Sequence, residues 1–389
     1  PKGASRAIGK RPRMSRFLRA LILMTSVAHV APTLGVIDFA SSHRWPMPWL
    51  FGLIFFALGV GLFPGRALHI MNDKKRSAWS VQLVDLPYYA HWCACLFSIL
   101  PSLLATLIGL ALYKKIPFGV FFEAYVVGLV VCAYGVFVRR AWFLTKKIDI
   151  AIEGLDPKLD GFKIVHLSDL HIGGMTPKSW LERWVKAANE CDADLAVVTG
   201  DMVTSGVEFH DDIASGLSRL KARAGAYVSM GNHDYFGEGE PLISGLISRG
   251  VRVLRNEGEL IEHDGKRVYL AAIDDTWTKR DDLTRALQGK PEGTSTILLS
   301  HDPERFPHAA EKDVELTLSG HTHGGQIAIP FLWRWFSLAH ISHHYAVDLY
   351  NQGRSWLYVH PGLGTTGPPI RLGIAPAVVL LTLRAKPAS

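Results

Sequence analysis

Four long apolar runs fill most of the first 140 residues and constrain the fold more than any other feature of the sequence. They fall at about residues 17–37, 47–62, 92–113 and 117–138. Three of them are roughly 20 residues long, the length of helix that crosses about 30 Å of hydrocarbon. The second is shorter unless it continues past Pro64 and Gly65. We therefore predict an all-α membrane domain of four transmembrane helices over residues 1–150. A secretory signal peptide would explain the first run, but none of the other three.

The charge of the chain is divided unevenly between its two parts. The formal net charge is +7, which by itself is compatible with nucleic-acid binding. Residues 1–150 carry 18 Lys and Arg against 5 Asp and Glu, whereas residues 151–389 carry 24 against 30. Most of the basic residues in the first part flank the apolar runs, as is typical of a membrane protein. We therefore expect a lipid bilayer as a partner and no nucleic acid.

The basic residues at the ends of the runs predict the orientation in the membrane. Arg44, Lys114 and Lys115 flank one set of ends. Fourteen basic residues flank the other set: Lys2, Arg6, Lys10, Arg11, Arg13, Arg16, Arg66, Lys74, Lys75, Arg76, Arg139, Arg140, Lys146 and Lys147. Because positive loops stay in the cytoplasm, we expect a multi-pass protein of the bacterial inner membrane whose residues after 140 are cytoplasmic.

A few polar residues lie inside the apolar runs. His29 and Glu123 are compatible with a transport path, but single polar residues more often face a neighbouring helix. Cys93, Cys95 and Cys132 also lie in the runs, and Cys191 is the one cysteine of the second part. This spacing does not form a disulfide framework or a cysteine zinc site, and it suits a reducing compartment.

Residues 151–389 read as β-strands that alternate with helices and loops. The segment 177–190 has helical spacing of its apolar residues. We predict strands at 162–168, 195–199, 226–230, 267–273, 295–300, 314–319, 355–360 and 377–383. So many apolar strands separated by helices favour an α/β domain built on one large sheet or on two packed sheets.

Polar clusters follow five of these strands directly. Ligands of α/β proteins gather at such strand ends. Seven residues in the clusters are candidate metal ligands: Asp169, His171, Asp201, Asn232, His301, His321 and His323. Carboxylate, amide and imidazole ligands without a thiolate favour two divalent ions, with Mn²⁺ preferred and Fe or Zn²⁺ as alternatives.

The motifs DLH, GD, GNHD, SH and GHTHGGQ occur in this order, each after a strand. In this respect the chain resembles the calcineurin-like metallophosphoesterases, and in particular bacterial membrane-associated members whose sequences end in GLGTTGPPIRLG. The resemblance covers residues 160–385 and leaves the apolar runs outside. It implies a catalytic domain over residues 151–389, folded as a two-sheet β-sandwich flanked by helices. Two metal ions would lie at one edge of the sheets.

The resemblance also implies a role for each motif residue. Asp169, His171 and His323 would bind one ion, and Asp201 would bridge the two. Asn232, His301 and His321 would bind the second ion. His233 would protonate or stabilise the departing oxygen, and Asp234 would lie behind His233. The sequence departs from the family at Thr204, where an acidic residue is common. A contact between this position and the residues around the ligands is therefore in doubt, whereas the number of predicted ligands is unchanged.

Other residues have open roles. Asn232 is a candidate for substrate binding as well as for metal binding. Arg371 is a candidate for binding substrate phosphate, because a guanidinium forks onto phosphate oxygens, or for a structural ion pair. His360, after a strand, is a candidate for supporting a ligand. The aromatic and histidine-rich stretch 329–345 either packs on the domain or forms a loop that faces lipid or covers the substrate.

These features predict a membrane-anchored enzyme that hydrolyses a phosphodiester or pyrophosphate bond. Two ions activate water and stabilise both oxygens of an in-line displacement, so a metal-bound hydroxide would cleave the ester directly. Four membrane spans favour a phosphorylated lipid or a nucleotide-linked lipid, as for the UDP-diacylglucosamine pyrophosphatases of the family. A general or cyclic-nucleotide phosphodiesterase is the alternative. A receptor that binds a phosphate ligand without turnover is an alternative of another class, but such a receptor has no need of His233.

The predicted orientation is testable with reporter fusions in a bacterial host. A reporter that is active only in the periplasm should be silent when fused after residue 150 and active when fused near Arg44, because the positive loops stay inside. The opposite pattern would place the catalytic domain outside the cytoplasm.

Overall fold

The computed structural model describes residues 16–71 and 74–386. The predicted basic tail before Arg16 therefore lies outside the described residues. The chain divides into two compact units, one of residues 1–70 and 91–131 and the other of residues 71–90 and 132–389. The boundary predicted at residue 150 falls within a β-strand, Leu144–Glu153. The division into a membrane domain and a catalytic domain at that residue stays a prediction.

In the described part of the chain, four helical segments are long and apolar enough to cross a membrane. They are Arg16–Ser42, Pro48–His69, Ala78–Tyr113 and Phe118–Arg139. Each contains one of the predicted apolar runs to within one residue at the start of the run. The second continues through Pro64, which is tolerated because proline fits the first turn of a helix. The elements in these segments are α1 (Arg16–Ser42), α2 (Pro48–Gly61), α3 (Phe63–Met71), α4 (Ala78–Ser80), α5 (Leu86–Ile108), α6 (Phe118–Ala133) and the π-helical turns Val81–Asp85, Gly109–Tyr113 and Tyr134–Arg139.

Twelve strands in the described residues form two six-stranded sheets. The strands are β1 (Leu144–Glu153), β2 (Lys163–Leu167), β3 (Leu195–Thr199), β4 (Ala226–Ser229), β5 (Arg252–Val253), β6 (Glu257–His263), β7 (Lys266–Ala272), β8 (Thr296–Leu299), β9 (Leu316–Ser319), β10 (Asp348–Gln352), β11 (Ser355–Val359) and β12 (Ala377–Lys386). The first sheet has the order β1-β12-β2-β3-β4-β5, and the second has the order β10-β11-β9-β8-β7-β6. All eight predicted strands are present, and β1, β5, β6 and β10 are additional.

The two sheets pack face to face around one apolar core. Buried side chains from β2 and β3, such as Ile164 and Val197, lie in the same cluster as Leu299 of β8 and Leu318 of β9. Burial of such side chains from water is the main favourable contribution to the stability of a sandwich. The predicted sandwich of two sheets is therefore confirmed.

Helices cover the outer faces of both sheets. The outer face of the first sheet packs against α7 (Lys178–Asn189), α8 (His210–Leu217) and α9 (Gly239–Ile247), through side chains that include Trp184 and Leu242. The second sheet packs against α10 (Leu283–Ala286) and α11 (Phe306–Ala310). The helix predicted at 177–190 is α7.

The direction of the central strands determines where functional residues gather. In the first sheet β2, β3 and β4 run parallel, and in the second sheet β7, β8 and β9 run parallel. The carboxyl ends of parallel strands meet at one edge of a sheet. The polar motifs that follow β2, β3, β4, β8 and β9 therefore emerge at two sheet edges, one from each half of the sandwich.

Candidate metal centre

The motif residues of the two sheets meet in one buried cluster. Asp201 follows β3 of the first sheet, and its Oδ2 lies 3.2 Å from Nε2 of His301, which follows β8 of the second sheet. The same oxygen lies 3.5 Å from Nε2 of His171. On the other side, Nε2 of His323 lies 3.4 Å from Oδ1 of Asp169. The sandwich thus brings residues that are a hundred or more positions apart, such as Asp201 and His301, into direct contact.

The cluster separates into two groups of ligand atoms that share one residue. Asp169, His171, Asp201 and His323 form the first group, in which all four ligand atoms lie within 4.8 Å of one another. Asp201, His301 and His321 form the second group within the same limit. Asp201 belongs to both, as expected for a carboxylate that bridges two ions. Two ions that share a carboxylate lie about 3.5–4 Å apart in two-metal hydrolases.

The polar atoms of the cluster suit a pair of cations. Among the described residues, nothing hydrogen-bonds to the buried side-chain oxygen Oδ1 of Asn232 or to Oδ2 of Asp169. A buried acceptor without a donor costs free energy, and a metal ion would satisfy it. Asn232 also lies next to the bridge, because the N–H of His233 donates to Oδ1 of Asp201 at 2.9 Å. The predicted set of seven ligands therefore fits two divalent ions.

The ring of His301 is oriented by its second nitrogen. Nδ1 of His301 donates to the main-chain oxygen of Thr199 at 2.7 Å, which turns Nε2 towards Asp201. Nδ1 of His321 lies 3.2 Å from that Nε2, and the Nε2 atoms of His171 and His323 lie 3.0 Å apart. Nitrogen atoms that face each other at this distance are placed to bind one ion together. Such outer contacts fix the tautomer and raise the affinity for metal.

Burial and charge set the protonation of the ligands. Burial lowers the pKa of His171 and His323 well below the usual value for histidine, so both rings are neutral, the form that binds a metal ion. Burial disfavours both charged partners in the Asp201–His301 pair, but their attraction is stronger. It holds the pKa of Asp201 well below its usual range and raises the pKa of His301 to about 10. The bridging residue is thus a carboxylate.

The chain holds several ligands in a left-handed backbone conformation. Five predicted ligands have positive φ angles: Asp169, His171, Asp201, His321 and His323. This conformation costs roughly 1–2 kcal/mol for each residue other than glycine. The close turns also need glycines, since a Cβ at Gly231 would overlap the Asp201 carboxylate and one at Gly320 would overlap Ser168. Strain of this kind is typical of functional sites.

Asp234 holds the loop of the bridging residue in place. Its carboxylate accepts hydrogen bonds from the main-chain N–H groups of Gly231, Asp201, Met202 and Val203, at 2.8–3.2 Å. The resemblance implies that Asp234 lies behind the ring of His233. In the structure, the Asp234 carboxylate binds the backbone of the loop that carries Asp201 instead. Asp234 therefore acts on His233 through the position of the turn that carries His233.

The ring of His233 is oriented by Thr204. Its Nδ1 donates to the main-chain oxygen of Thr204 at 2.7 Å, and its Nε2 lies 3.4 Å from Oγ1 of Thr366. The side chain of Thr204 donates to the main-chain oxygen of His171 at 3.1 Å. The position at which the family often has an acid thus supports His233 through a carbonyl, which any residue type can supply. His233 lies in neither ligand group.

Arg371 does not lie where it would bind substrate. It is completely buried, and its guanidinium donates to the main-chain oxygens of Pro361 and Gly364 at 2.7–3.1 Å. Its Nη2 also lies 3.4 Å from Nδ1 of His323. The alternative of a structural ion pair needs correction too, because the hydrogen bonds go to carbonyl groups. Arg371 therefore holds the GLGTTGPPIRLG motif against His323, a candidate metal ligand.

Several other residues near the cluster have contacts that the sequence did not predict. The side-chain amide of Gln326 exchanges two hydrogen bonds with the backbone of Thr366, at 2.8 and 3.0 Å, which joins the GHTHGGQ loop to the terminal motif. Both residues lie inside quoted motifs, which was the available indication. Trp277 and His343 pack on the ring of His321, with ring centroids 5.7 and 5.4 Å away. Nothing in its local sequence marks Trp277, whereas His343 lies in the aromatic and histidine-rich stretch 329–345.

His360 supports the terminal motif at a distance from the ligands. It is completely buried, and its Nδ1 accepts the main-chain N–H of Gly362 at 2.9 Å. Gly362 has a positive φ, and a Cβ there would crowd Nδ1 of His323 and the Arg371 guanidinium. His360 therefore fixes a turn that packs on a ligand, which fits the supporting role considered for it.

Comparisons with known proteins agree with this geometry. The family model described as calcineurin-like phosphoesterase matches residues 162–325. The chain is 32% identical to a metallophosphoesterase of Bacillus subtilis, YkuE, over 58% of this chain and 80% of that protein. The chain belongs to the calcineurin-like metallophosphoesterase family. A metallophosphoesterase of Aquifex aeolicus is also 32% identical, over 64% of this chain and 94% of its own length.

Relatives with membrane segments are also present in the family. A "transmembrane protein with metallophosphoesterase domain" of Danio rerio is 32% identical over 61% of this chain, and the chain spans 56% of its length. Together with the four apolar helices, this indicates a membrane protein. Membership of the family indicates a metal-dependent phosphoester hydrolase, and the Asp/His cluster is its candidate site for two divalent ions.

Removal of the shared carboxylate tests the two-ion arrangement. Asp201→Ala should lower the bound metal from two ions to at most one per chain and abolish hydrolysis, because both ligand groups lose a member. Metal analysis of the purified protein measures this. Asp211→Ala, which removes an exposed carboxylate on α8, should keep both ions. Two ions in the Asp201 variant would contradict the shared-ligand assignment.

Proposed function

We propose that this protein hydrolyses a phosphodiester or pyrophosphate bond in an amphiphilic substrate, a phosphorylated lipid or a nucleotide-linked lipid, at the cytoplasmic face of the membrane. The observation that carries the lipid part of this proposal is an exposed apolar loop, residues 329–341. Phe331 is 94% exposed, Ile341 is 81% exposed and Trp335 is 65% exposed. Soluble surfaces rarely carry so many large apolar side chains together, and such patches mark binding sites for lipid or protein.

The loop is joined to the metal centre at its base. Ala328 pairs with Ser337, and the N–H of Ile329 donates to the main-chain oxygen of Phe336 at 3.0 Å. A Cβ at Gly325, two residues after His323, would overlap the backbone of Leu338 and Ala339. The apolar tip is therefore held by the same segment that carries two metal ligands. A substrate with acyl chains would place its phosphate at the ligands and its chains along this tip.

The residues of the centre have distinct tasks in this reaction. When bound, two divalent ions lower the pKa of a water molecule and stabilise negative charge on the phosphate oxygens. The neutral imidazoles and the Asp201 carboxylate would hold the two cations in a buried site, where their effect on the phosphate charge is strong. The Nδ1–H of His233 donates a hydrogen bond to the main-chain oxygen of Thr204, so Nε2 is the nitrogen that would give a proton to the departing oxygen. Thr366 lies against the same nitrogen and limits its movement.

A turnover screen of the full-length protein tests the proposal. The protein, in detergent with Mn²⁺, is given a lipid pyrophosphate, a phospholipid, a cyclic nucleotide and bis-nitrophenyl phosphate in parallel. We propose Mn²⁺ as the metal and a lipid as the substrate, so the screen tests both choices. We expect the highest kcat/KM for one of the two lipids. Preferred turnover of the cyclic nucleotide would support the general phosphodiesterase alternative, and binding without turnover of any ester would support a receptor.

The contribution of the apolar loop is separable from that of the metal centre. The double variant Phe331→Ser, Trp335→Ser should raise KM for the lipid in mixed micelles by roughly tenfold or more, since each buried aromatic side chain contributes about 1.5–3 kcal/mol. Hydrolysis of bis-nitrophenyl phosphate should be unchanged. The matched double variant Val207→Ser, Ile247→Ser removes two exposed apolar side chains elsewhere and should change neither activity. Equal KM values for the two double variants would remove the lipid-binding role of the loop.

The role of His233 is measured by comparing leaving groups. His233→Asn should lower kcat/KM by about 10²–10⁴ on a lipid phosphodiester, whose alkoxide needs a proton to depart. The loss should be much smaller on a nitrophenyl ester, whose leaving group departs as an anion. The exposed His308 supplies the control, His308→Asn. Equal losses on both esters with both metals retained would show charge stabilisation instead of proton donation, and loss of metal would make His233 a ligand.

A further inference from the structure

A second cluster of potential metal ligands lies in the other compact unit, among the membrane-spanning helices. It consists of His29 on α1 and of His91 and Cys95, one turn apart on α5. One ligand atom from each residue lies within 4.8 Å of the other two. His29 and Cys95 are completely buried. Polar side chains at such a depth are costly and are typically functional.

The Nε2 atoms of the two imidazole rings face each other. Nδ1 of His29 lies 2.7 Å from the main-chain oxygen of Thr25. A carbonyl only accepts hydrogen bonds, so this nitrogen carries the proton and Nε2 of His29 carries a lone pair. Nδ1 of His91 lies 2.9 Å from the hydroxyl of Tyr125, and the two Nε2 atoms are 3.1 Å apart. Two imidazole nitrogens on one ion, with bonds of about 2.0–2.1 Å, are about 3.3 Å apart in tetrahedral geometry and about 3.5 Å apart in trigonal geometry.

The surroundings keep the two rings in this position. A Cβ at Gly59 on α2 would overlap the His29 ring and lie 3.0 Å from Nε2 of His91, so glycine makes the room that the pair needs. The ring of Phe55 packs against both imidazoles, with centroids 6.2 and 5.1 Å away. Nε1 of Trp92 donates to Oγ1 of Thr25 at 3.0 Å, which fixes the residue that orients His29. With Tyr125 on α6, the cluster and its supporting side chains thus lie on four helices.

The ligand types and their charge select the ion. Two imidazoles and one thiolate form the trigonal ligand set of copper proteins, and a thiolate favours Cu⁺ or Zn²⁺ over harder ions. A thiolate with Cu⁺ and two neutral imidazoles has no net charge, whereas Zn²⁺ would leave one positive charge. Burial of an uncompensated charge is strongly unfavourable. We infer that His29, His91 and Cys95 form a site for Cu⁺ within the membrane-spanning helices, distinct from the phosphoesterase centre.

A hydrogen-bonded chain offers a different account of the two histidines. If Tyr125 donates to His91 and Nε2–H of His91 donates to Nε2 of His29, the ring nitrogens are satisfied without an ion. In that account Cys95 is a hydrogen-bonding neighbour of His91, with Sγ 4.0 Å from Nδ1 of His91, and its sulfur binds no ion. The cysteine therefore separates a metal site from a purely structural network.

Copper binding to the full-length protein in detergent tests the inference. The protein is titrated with Cu⁺ under reducing conditions against a chromogenic Cu⁺ chelator, and the bound ion is studied by X-ray absorption. We expect one sulfur and two nitrogen ligands in the wild type. Cys95→Ser should remove the sulfur ligand and weaken binding by at least about tenfold, a change of 1.4 kcal/mol. Cys93→Ser, two positions away on the same helix, is the matched control and should bind as the wild type does.

A second variant tests the orientation of the ligands without changing them. Tyr125→Phe removes the hydroxyl that lies on Nδ1 of His91 and should weaken Cu⁺ binding by about 10–100-fold while the sulfur ligand remains. Copper bound without sulfur in the wild type, or equal affinity in the Cys95→Ser and Cys93→Ser proteins, would overturn the inference. Displacement of Cu⁺ from this site by equimolar Zn²⁺ would overturn the choice of ion.

Discussion

The contact between Asp201 and His301 is the interaction on which the metal centre depends. Asp201 ends a strand of one sheet and His301 ends a strand of the other, and their side chains lie 3.2 Å apart at the edge of the sandwich. Because Asp201 belongs to both ligand groups, the relative position of the two sheets sets the distance between the two ion positions. The apolar core between the sheets therefore does more than stabilise the fold. It also fixes the geometry of the Asp/His cluster.

The loops at this edge are strained, and the structure compensates for the strain locally. Five predicted ligands adopt positive φ angles that disfavour residues other than glycine. Asp234 offsets this cost at the bridge with hydrogen bonds from four main-chain N–H groups. Arg371 and Gln326 do the same for the loops around His323. Charged side chains that at first suggest catalysis are thus used to hold backbone in an unfavourable conformation.

The sequence predicted the centre of each sheet and the motif residues that the structure brings into one cluster, but not the edges or the supporting contacts. The four strands that it missed, β1, β5, β6 and β10, are the outermost strands of the two sheets. Edge strands bury less apolar surface and carry more polar residues, so their pattern is weak. Motif spacing identified Asp201 and His301 because both follow buried strands. The burial of Arg371 was not predictable, because its partners are main-chain carbonyls that have no sequence signature.

The account rests on two ions held by one shared carboxylate, and electron paramagnetic resonance of the Mn²⁺-loaded protein tests this most directly. Two Mn²⁺ ions bridged by Asp201 are close enough to couple magnetically, at the separation of about 3.5–4 Å typical of two-metal centres. The account predicts the spectrum of a coupled pair at two ions per chain. A spectrum of isolated Mn²⁺ at full loading would contradict it, because the two ligand groups would then not share a bridging residue.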